Sequence, residues 1–594
     1  MKEFRKKLQP LAGVLFLLTI FIAPLKMGVM LLPGVPQGSP ESAMAWLVAA
    51  WPPALLPVIA GVLLIVSLTA YGIPESLKKW SSERILLLLW LLLPLVTMIG
   101  FIDCDSYENA VIELEYTLGL SSFFAAAVIQ MANRRDMLDK VVNTAVASVL
   151  FTAVIGVHQY FFGFDDMREF IEMQEKIYNI TIPEGIKARA YDVRVHSTFT
   201  FASALAGLLA LWGALAVVRP VKWAENFEPV KVSQKIFFTL ALILCGFIFL
   251  AARGRGAFLA VILAGALTGW GIIRNVKVKI ALSTVALLVI ILGAVYIHYA
   301  GRGFSSMAER VGYLKSSWEM FIAHPFTGDG WGDFVFHHAQ NKSFGSEELA
   351  KDPHNILASF AAQTGIGGLL LIGLIMLYTL FIAYRYMQKK NTVESCLFFF
   401  GISAFSLHIL MDMDWQVPAL MIYYQTAALC IAGYSAGDSA VDSGDKQSQK
   451  CVFYSLLTVL ALCSVIGGTH WSIADQRYFK LQEAAGQGVI KNQNMQSSFE
   501  VDRLAKAALA AAPYSHSIYT CWGNEKFFRG DMVKAGECFR KVLEMTPRSH
   551  SAYKRMAEIY LKCGDEVRAQ EYLEKSEKLF PYKKILFEQR MKKK

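Results

Sequence analysis

Repeated apolar runs of about 18 to 25 residues dominate this chain, and each matches the roughly 20 residues that a helix needs to cross a hydrocarbon core of about 30 Å. Thirteen such runs fall at 11–31, 46–70, 85–102, 110–131, 141–162, 196–218, 236–252, 256–273, 280–299, 356–384, 395–411, 416–434 and 451–469. Lipid offers no partner for backbone N–H and C=O groups, so runs of this kind must satisfy them internally as helices. With 55% of its 594 residues hydrophobic and only 18% charged, the chain is too apolar for a soluble enzyme. The expected fold is all-α: a polytopic transmembrane helix bundle of about 12 to 13 spans.

Lys and Arg concentrate in alternate loops, and cytoplasmic loops are the ones that keep positive charge. One side collects Lys2, Arg5, Lys6 and Lys7, then Lys78, Lys79 and Arg84, then Arg134, Arg135 and Lys140. It continues with Lys222, Lys231 and Lys235, with Arg274, Lys277 and Lys279, and with Arg385, Lys389 and Lys390. That side, with the N-terminus, is predicted to be cytoplasmic. The external side then receives Asp103, Asp105 and Glu108, the segments 163–195 and 300–355, and everything after residue 470. The first run follows a basic start and has no small-residue cleavage site after it, so it reads as a retained span rather than a signal peptide. The net charge of +10 is accounted for by anchoring to membrane lipids of the inner leaflet and gives no reason to invoke nucleic acid.

The nine cysteines are scattered and show no CxxC spacing, so neither a metal nor another cofactor is expected. Cys521, Cys538 and Cys563 fall in the exported tail, where a disulfide is chemically allowed. In that tail Pro513, Pro547 and Pro581 recur every 34 residues, and Gly523/Ala557, Gly530/Gly564, Asp531/Asp565, Ala535/Ala569 and Phe539/Leu573 keep the same offset. This is the period of tetratricopeptide repeats, pairs of helices that bury a core only when stacked. Units at 516–547 and 550–581, with a degenerate unit at about 475–512, predict two domains: 1–470 in the membrane, with a large external loop at 300–355, and an external repeat domain at 471–594. The repeats serve either as a spacer or as a docking surface for a protein partner or the acceptor. Lys583, Lys584 and Lys592 to Lys594 read as a solvated end.

Four external features gather cationic or titratable groups. Lys187 to His196 leads into the sixth span and places Arg194 at the membrane surface. Arg253-Gly254-Arg255-Gly256 joins two spans in so few residues that both arginines sit at the outer interface, against the positive-inside bias. Guanidinium offers planar paired donors suited to phosphate. The segment from Gly301 to Pro353 carries Arg302, Arg310, His324, His337 and His338, and 305–323 predicts an amphipathic helix on the membrane with Met307, Val311, Leu314 and Trp318 on one face. His324 to Gly332 is a glycine-rich turn ending that helix. His354, after Asp352-Pro353, stands at the entrance of the helix expected from Ile356 to Tyr384, facing water. An imidazole there suits general-base chemistry near neutral pH.

His354-Asn355, followed after nine residues by Gly365 and then Gly368, resembles the His/Arg-Asn…Gly-x-x-Gly pattern of the O-antigen ligase and O-antigen polymerase superfamily of bacterial membrane glycosyltransferases. Ala252-Arg253-Gly254 is similar to that family's Ser-Arg-Gly, with Ala in place of Ser. Residues 324–334 are similar to its His-Pro-x-x-Gly-x-Gly-x-x-x-Phe turn, and Arg194 falls where the family has an arginine in an earlier external loop. The resemblance implies a GT-C-like membrane domain in the bacterial cytoplasmic (inner) membrane and a donor glycan on undecaprenyl pyrophosphate. It also implies an inverting, metal-independent transfer to an acceptor hydroxyl on a lipid or a protein. In that reading His354 is the general base, and Arg253 and Arg194 hold the pyrophosphate. Arg255, Arg302, Arg310, Asn355 and His324 contact substrate, and Gly365 and Gly368 permit close helix packing. Ligase, polymerase and protein O-oligosaccharyltransferase share these motifs. Outside the enzymes, a transporter would need ionisable groups at mid-membrane, where Lys26 is a partial exception, and a scaffold presenting the repeats would leave His354 and the external arginines without a role.

Overall fold

A computed structural model describes residues 2–31, 43–74, 77, 81–178, 187, 191–225, 231–299, 304–342, 349–436, 447–490 and 495–581. Of the residues singled out above, Lys78, Lys79, residues 188–190, Gly301, Arg302 and the basic end at Lys583, Lys584 and Lys592 to Lys594 lie outside the described residues. The regular structure described is helical. In chain order the membrane part holds α1 (Lys2–Lys26), α2 (Ala43–Val48), α3 (Leu55–Tyr71), α4 (Ser82–Thr97), α5 (Tyr107–Asn133), α6 (Met137–His158) and α7 (Phe164–Tyr178). It continues with α8 (Ala202–Glu225), α9 (Lys231–Ala252), α10 (Arg255–Ile272), α11 (Val276–Tyr299), α12 (Phe304–Ala323), α13 (Phe334–Asn341), α14 (Ile356–Lys390), α15 (Val393–His408) and α16 (Pro418–Ala436). The tail comprises α17 (Gln447–Ile490), α18 (Met495–Ala511), α19 (His516–Arg529), α20 (Met532–Met545), α21 (His550–Lys562) and α22 (Glu566–Leu579).

Every apolar run of the sequence lies on a helix. Among the described residues, nine helices are long and apolar enough to cross a membrane, and α3 and α15 are apolar but shorter. The run 280–299 falls on α11 and the run 416–434 on α16. The run 46–70 divides into α2 and α3 because Pro52 and Pro53 lack the N–H that a continuing helix would need. Helix α16 is the axis of the bundle, buried on all sides from Pro418 to Gly433. An all-round apolar helix must lie inside other helices, and the polar groups of α16 find partners there. Tyr423 donates to the Ile20 carbonyl at 3.1 Å, Gln425 donates to the Leu120 carbonyl at 3.2 Å, and the Trp212 indole donates to the Tyr423 carbonyl at 3.2 Å. Lys26 is buried at the end of α1, where its ammonium caps α2 through the carbonyls of Trp46, Leu47 and Ala49.

The segment 300–355, expected to be external, carries two helices, α12 and α13, among its described residues. Helix α12 is amphipathic as expected: Val311, Leu314, Trp318 and Ile322 are exposed, whereas Tyr313, Ser316, Ser317 and Met320 are buried. Helix α14 differs from the uninterrupted helix expected from Ile356 to Tyr384. It breaks at Gly365, whose φ of 67° and ψ of −156° only glycine tolerates.

In the tail, α19 with α20 and α21 with α22 form helix pairs at the 34-residue offset read from the prolines. Ser515, Asp531, Ser549 and Asp565 cap the four helices with side-chain acceptors. A Cβ on Gly523 would stand 2.9 Å from the Phe539 ring, so a small residue there lets α19 and α20 close on each other. Helix α17 runs unbroken through residue 470, and its end packs Leu481 with Val501, Ala505 and Ala508 of α18. Cys521, Cys538 and Cys563 are all unpaired thiols.

Candidate functional site

The Asp352-Pro353-His354-Asn355 sequence turns the chain into α14. Asn355 is the N-cap: its side chain accepts from the Ala358 N–H at 3.0 Å and donates to the Leu410 carbonyl at 2.8 Å. One residue earlier, His354 takes a left-handed conformation with φ 57°. Its N–H donates to Asp352 at 2.9 Å, so a buried carboxylate pins the strained backbone. Asp352 also accepts from the Ser359 hydroxyl at 2.7 Å. Burial pushes the Asp352 carboxyl up to about 6, against the pull of Ser359 and His354.

The His354 ring does not face open water, contrary to what its place before the helix predicts. Its side chain is 17% exposed, with Nδ1 lying 3.4 Å from Asp412. It stacks on Tyr313 of α12, with ring centroids 5.3 Å apart and planes 15° from parallel. Burial opposes a positive imidazole, but Asp412 and then Asp352 outweigh it, and Arg310 pulls the other way; the net result is a pKa above the ordinary 6.5. Asp412 is itself partly buried, which opposes its charge, yet His354 and His408 hold its carboxyl below the usual range. Asp412 thus faces Nδ1 of an imidazole whose ring plane is set by its stack on Tyr313.

Arg310 lies on the same helix as Tyr313 and donates to the Met411 carbonyl at 3.1 Å. Three of the residues read from the sequence, His354, Asn355 and Arg310, therefore converge on the 409–417 segment between α15 and α16. The acidic residues of that segment were absent from the sequence reading. Their only signal is two acids, Asp412 and Asp414, flanking one residue in the short connection between two apolar spans.

The arginine features meet elsewhere. Arg194 lies 2.7 Å from Asp192, and Arg253 lies 3.6 Å from the other oxygen of the same carboxylate. The Val195 N–H donates to the Ala251 carbonyl at 3.2 Å and joins the two loops. Both guanidinium groups stay open to solvent, 51% exposed for Arg194 and 62% for Arg253. Arg253 has φ 50°, which lets α9 reverse into α10 within three residues. Arg255 is exposed in the first turn of α10. The turn abuts the 409–417 segment, because a Cβ on Gly256 would stand 3.5 Å from His408 and 3.8 Å from Met411. Asp192 stands two residues before Arg194 in the sequence, but nothing there marks it as a partner that Arg194 shares with Arg253.

His324 is not beside His354. It lies 3.8 Å from Asp103 and 3.8 Å from Asp329, in the glycine-rich turn. That turn packs directly on the break in α14: a Cβ on Gly365 would meet the Phe326 carbonyl carbon at 2.6 Å, and the Ile366 N–H donates to the Pro325 carbonyl at 2.8 Å. Gly365 thus admits a turn rather than a neighbouring helix. Gly368 leaves room for the Thr364 hydroxyl, which a Cβ there would overlap. His338 is buried between Phe334 and Tyr313 and bonded to the Ser316 hydroxyl at 3.0 Å; burial holds its pKa down to about 4.

Among the described residues, His408, Asp412 and Asp414 bring donor atoms within 4.8 Å of one another. Within that group His408 Nε2 lies 2.9 Å from Asp414.

Residues 240–373 match the protein family described as O-Antigen ligase. The match spans 134 of the 594 residues and supports the O-antigen ligase superfamily for this part of the membrane region. The matched stretch of this O-antigen ligase domain runs from α9 through the Arg253 turn to His354, Gly365 and Gly368. Arg194 precedes it and Asp412 follows it, and only folding brings them to the matched residues. The family is one of membrane enzymes that transfer glycans. No curated protein matches the chain.

Proposed function

We propose that the protein transfers a glycan from a polyprenyl pyrophosphate carrier, undecaprenyl pyrophosphate by family likeness, to an acceptor hydroxyl on the outer face of the bacterial cytoplasmic membrane. The observation that carries this reading is the oriented base: His354 with Asp412 at Nδ1, Tyr313 beneath its ring and Asn355 fixing the helix start. His354 Nε2 takes the proton of the acceptor hydroxyl as its oxygen attacks C1 of the donor sugar. The C1–O bond to pyrophosphate breaks on the opposite face, the electron pair stays on the phosphate oxygen, and the anomeric configuration inverts. The imidazolium, stabilised by Asp412, then returns its proton to water. Arg253 and Arg194 meet the growing charge on the leaving pyrophosphate, which displaces Asp192 as their partner. Arg310 and Arg255 supply further positive charge beside the acceptor and the carrier, and no metal takes part. The tail, read as tetratricopeptide repeats, lies on the external side.

The test is reconstitution of the purified chain in vesicles with a lipid-linked glycan and either a lipid or a protein acceptor. Transfer is expected with the parent chain. His354→Ala should lose about 10²- to 10⁴-fold, the usual worth of general-base help. Arg253→Lys should also be slow, because a point charge does not reproduce two aligned donors. Parental rates in the His354→Ala chain would overturn the assignment, and the acceptor consumed separates lipid ligation from protein glycosylation and chain extension.

A further inference from the structure

One residue of the repeat tail gathers three carboxylates of the membrane part. Arg548, in the turn between α20 and α21, reaches Asp329 at 2.8 Å, Asp333 at 3.0 Å and also Asp105. Asp333 is fully buried, and its Oδ2 also accepts the Asp105 N–H at 2.7 Å. Asp105 belongs to the α4–α5 connection, and Asp329 and Asp333 belong to the glycine-rich turn. A second contact fixes the same tail surface: Glu108 of α5 accepts from the Ser515 hydroxyl at 2.7 Å and the Ser517 N–H at 3.1 Å. Phe580 packs on Ala339 of α13 at a third point. Neither a spacer nor a freely presented docking arm requires a fork of this kind.

The turn that Arg548 holds is bonded in turn to the base. The Asp329 N–H donates to the Ala362 carbonyl at 2.8 Å, and the Gly332 N–H donates to the Gln363 side chain at 2.8 Å. Gln363 donates to the Ser359 hydroxyl at 2.8 Å, Ser359 donates to Asp352 at 2.7 Å, and Asp352 holds the His354 N–H at 2.9 Å. Gly328, with φ 71°, lies so close to Gln363 that a Cβ would meet its carbonyl carbon at 2.3 Å. The turn is thus in backbone contact with α14 at residues 362–366, and a chain of three buried side chains carries the contact on to His354.

We propose that Arg548 is a positioning residue, and that the repeat tail is a built-in brace which, through the Asp105, Asp329 and Asp333 carboxylates and the glycine-rich turn, sets the geometry of the His354 base. This rests on the glycan-transfer reading for its consequence on rate, but not for its structural content. Burial already pushes the Asp333 carboxyl upward against the pull of Arg548. Without the guanidinium, three carboxylates would face one another with no strong counter-charge, and the turn would lose its present packing on α14.

The experiment uses the full chain in nanodiscs as parent, Arg548→Ala, Arg548→Lys and the exposed control Lys541→Ala, and follows hydrogen exchange together with transfer kinetics. In Arg548→Ala, exchange should rise about tenfold or more in both 324–334 and 354–365, while peptides of α21 and α22 stay protected. For transfer, kcat should fall about tenfold or more with little change in KM, because a displaced base slows chemistry without removing substrate contacts. Arg548→Lys should recover part of both effects, and Lys541→Ala should match the parent. Faster exchange confined to 324–334, or an unchanged kcat beside faster exchange in 354–365, would overturn the brace. Loss of protection throughout α19 to α22 in Arg548→Ala moves the decision to Arg548→Lys, where parental exchange and kcat would overturn it. If the parent transfers no glycan, the function reading fails, and the exchange pattern still decides whether the tail braces the base.

Discussion

Replacing Asp412 with Asn keeps the shape of the site and removes one charge, so it isolates what the carboxylate does for His354. Two unit charges 3.4 Å apart interact by about 5 kcal/mol at an effective dielectric constant of about 20. Spreading each charge over two atoms roughly halves that, leaving about 2 to 3 kcal/mol for the imidazolium that forms during transfer. At 1.36 kcal/mol per decade this corresponds to a loss of about 30- to 150-fold in the plateau rate of Asp412→Asn. The pH profile supplies the second readout. Transfer needs neutral His354, so the rate rises with pH through the His354 pKa, which lies above 6.5 in the parent chain. With the carboxylate gone, burial is less opposed and the rising limb should move to lower pH while the plateau falls. The assay is transfer of a lipid-linked glycan in proteoliposomes from pH 5 to 9. A slower variant whose rising limb stays in place would refute the argument and make Asp412 a structural residue only.

Two further predictions concern stability. Gly365→Ala combines a glycine-only conformation with a 2.6 Å approach to Phe326, so it should destabilise the membrane domain by about 2 to 5 kcal/mol and expose 324–334 to protease; a thermal midpoint equal to the parent's would refute this. His338 is held neutral, with its folded pKa near 4 below an ordinary value of 6.5. Its contribution is therefore fully present above about pH 6.5 and is lost as pH falls towards 4, up to about 3 kcal/mol. His338→Phe should flatten that part of the thermal stability profile in detergent, and an unchanged slope would show that other groups carry it.

Much of the fold was legible in the order of residues because lipid imposes a length and a hydrophobicity on every span. The apolar runs all became helices, the amphipathic pattern of 305–323 became a half-buried helix, and the 34-residue period became paired helices. The break at Gly365 was not legible as a break, since an apolar run with scattered glycines reads the same whether its helix continues or not. The partners of the functional groups were even less so. Asp192, Asp412 and Arg548 are ordinary charged residues in short connections, and charge alone does not state what it faces.

Local chemistry determined that His354 would stand at a helix entrance, that Arg194 and Arg253 would mark span ends, and that a repeat would follow the last span, because each of these depends on neighbours within a few residues. Tertiary packing decided that two arginines share one carboxylate, that His354 faces an acid 58 residues further along, and that the tail grips the glycine-rich turn. Ion pairs and ring stacking act over a few ångströms of space, and only the folded chain sets which distant residues come that close.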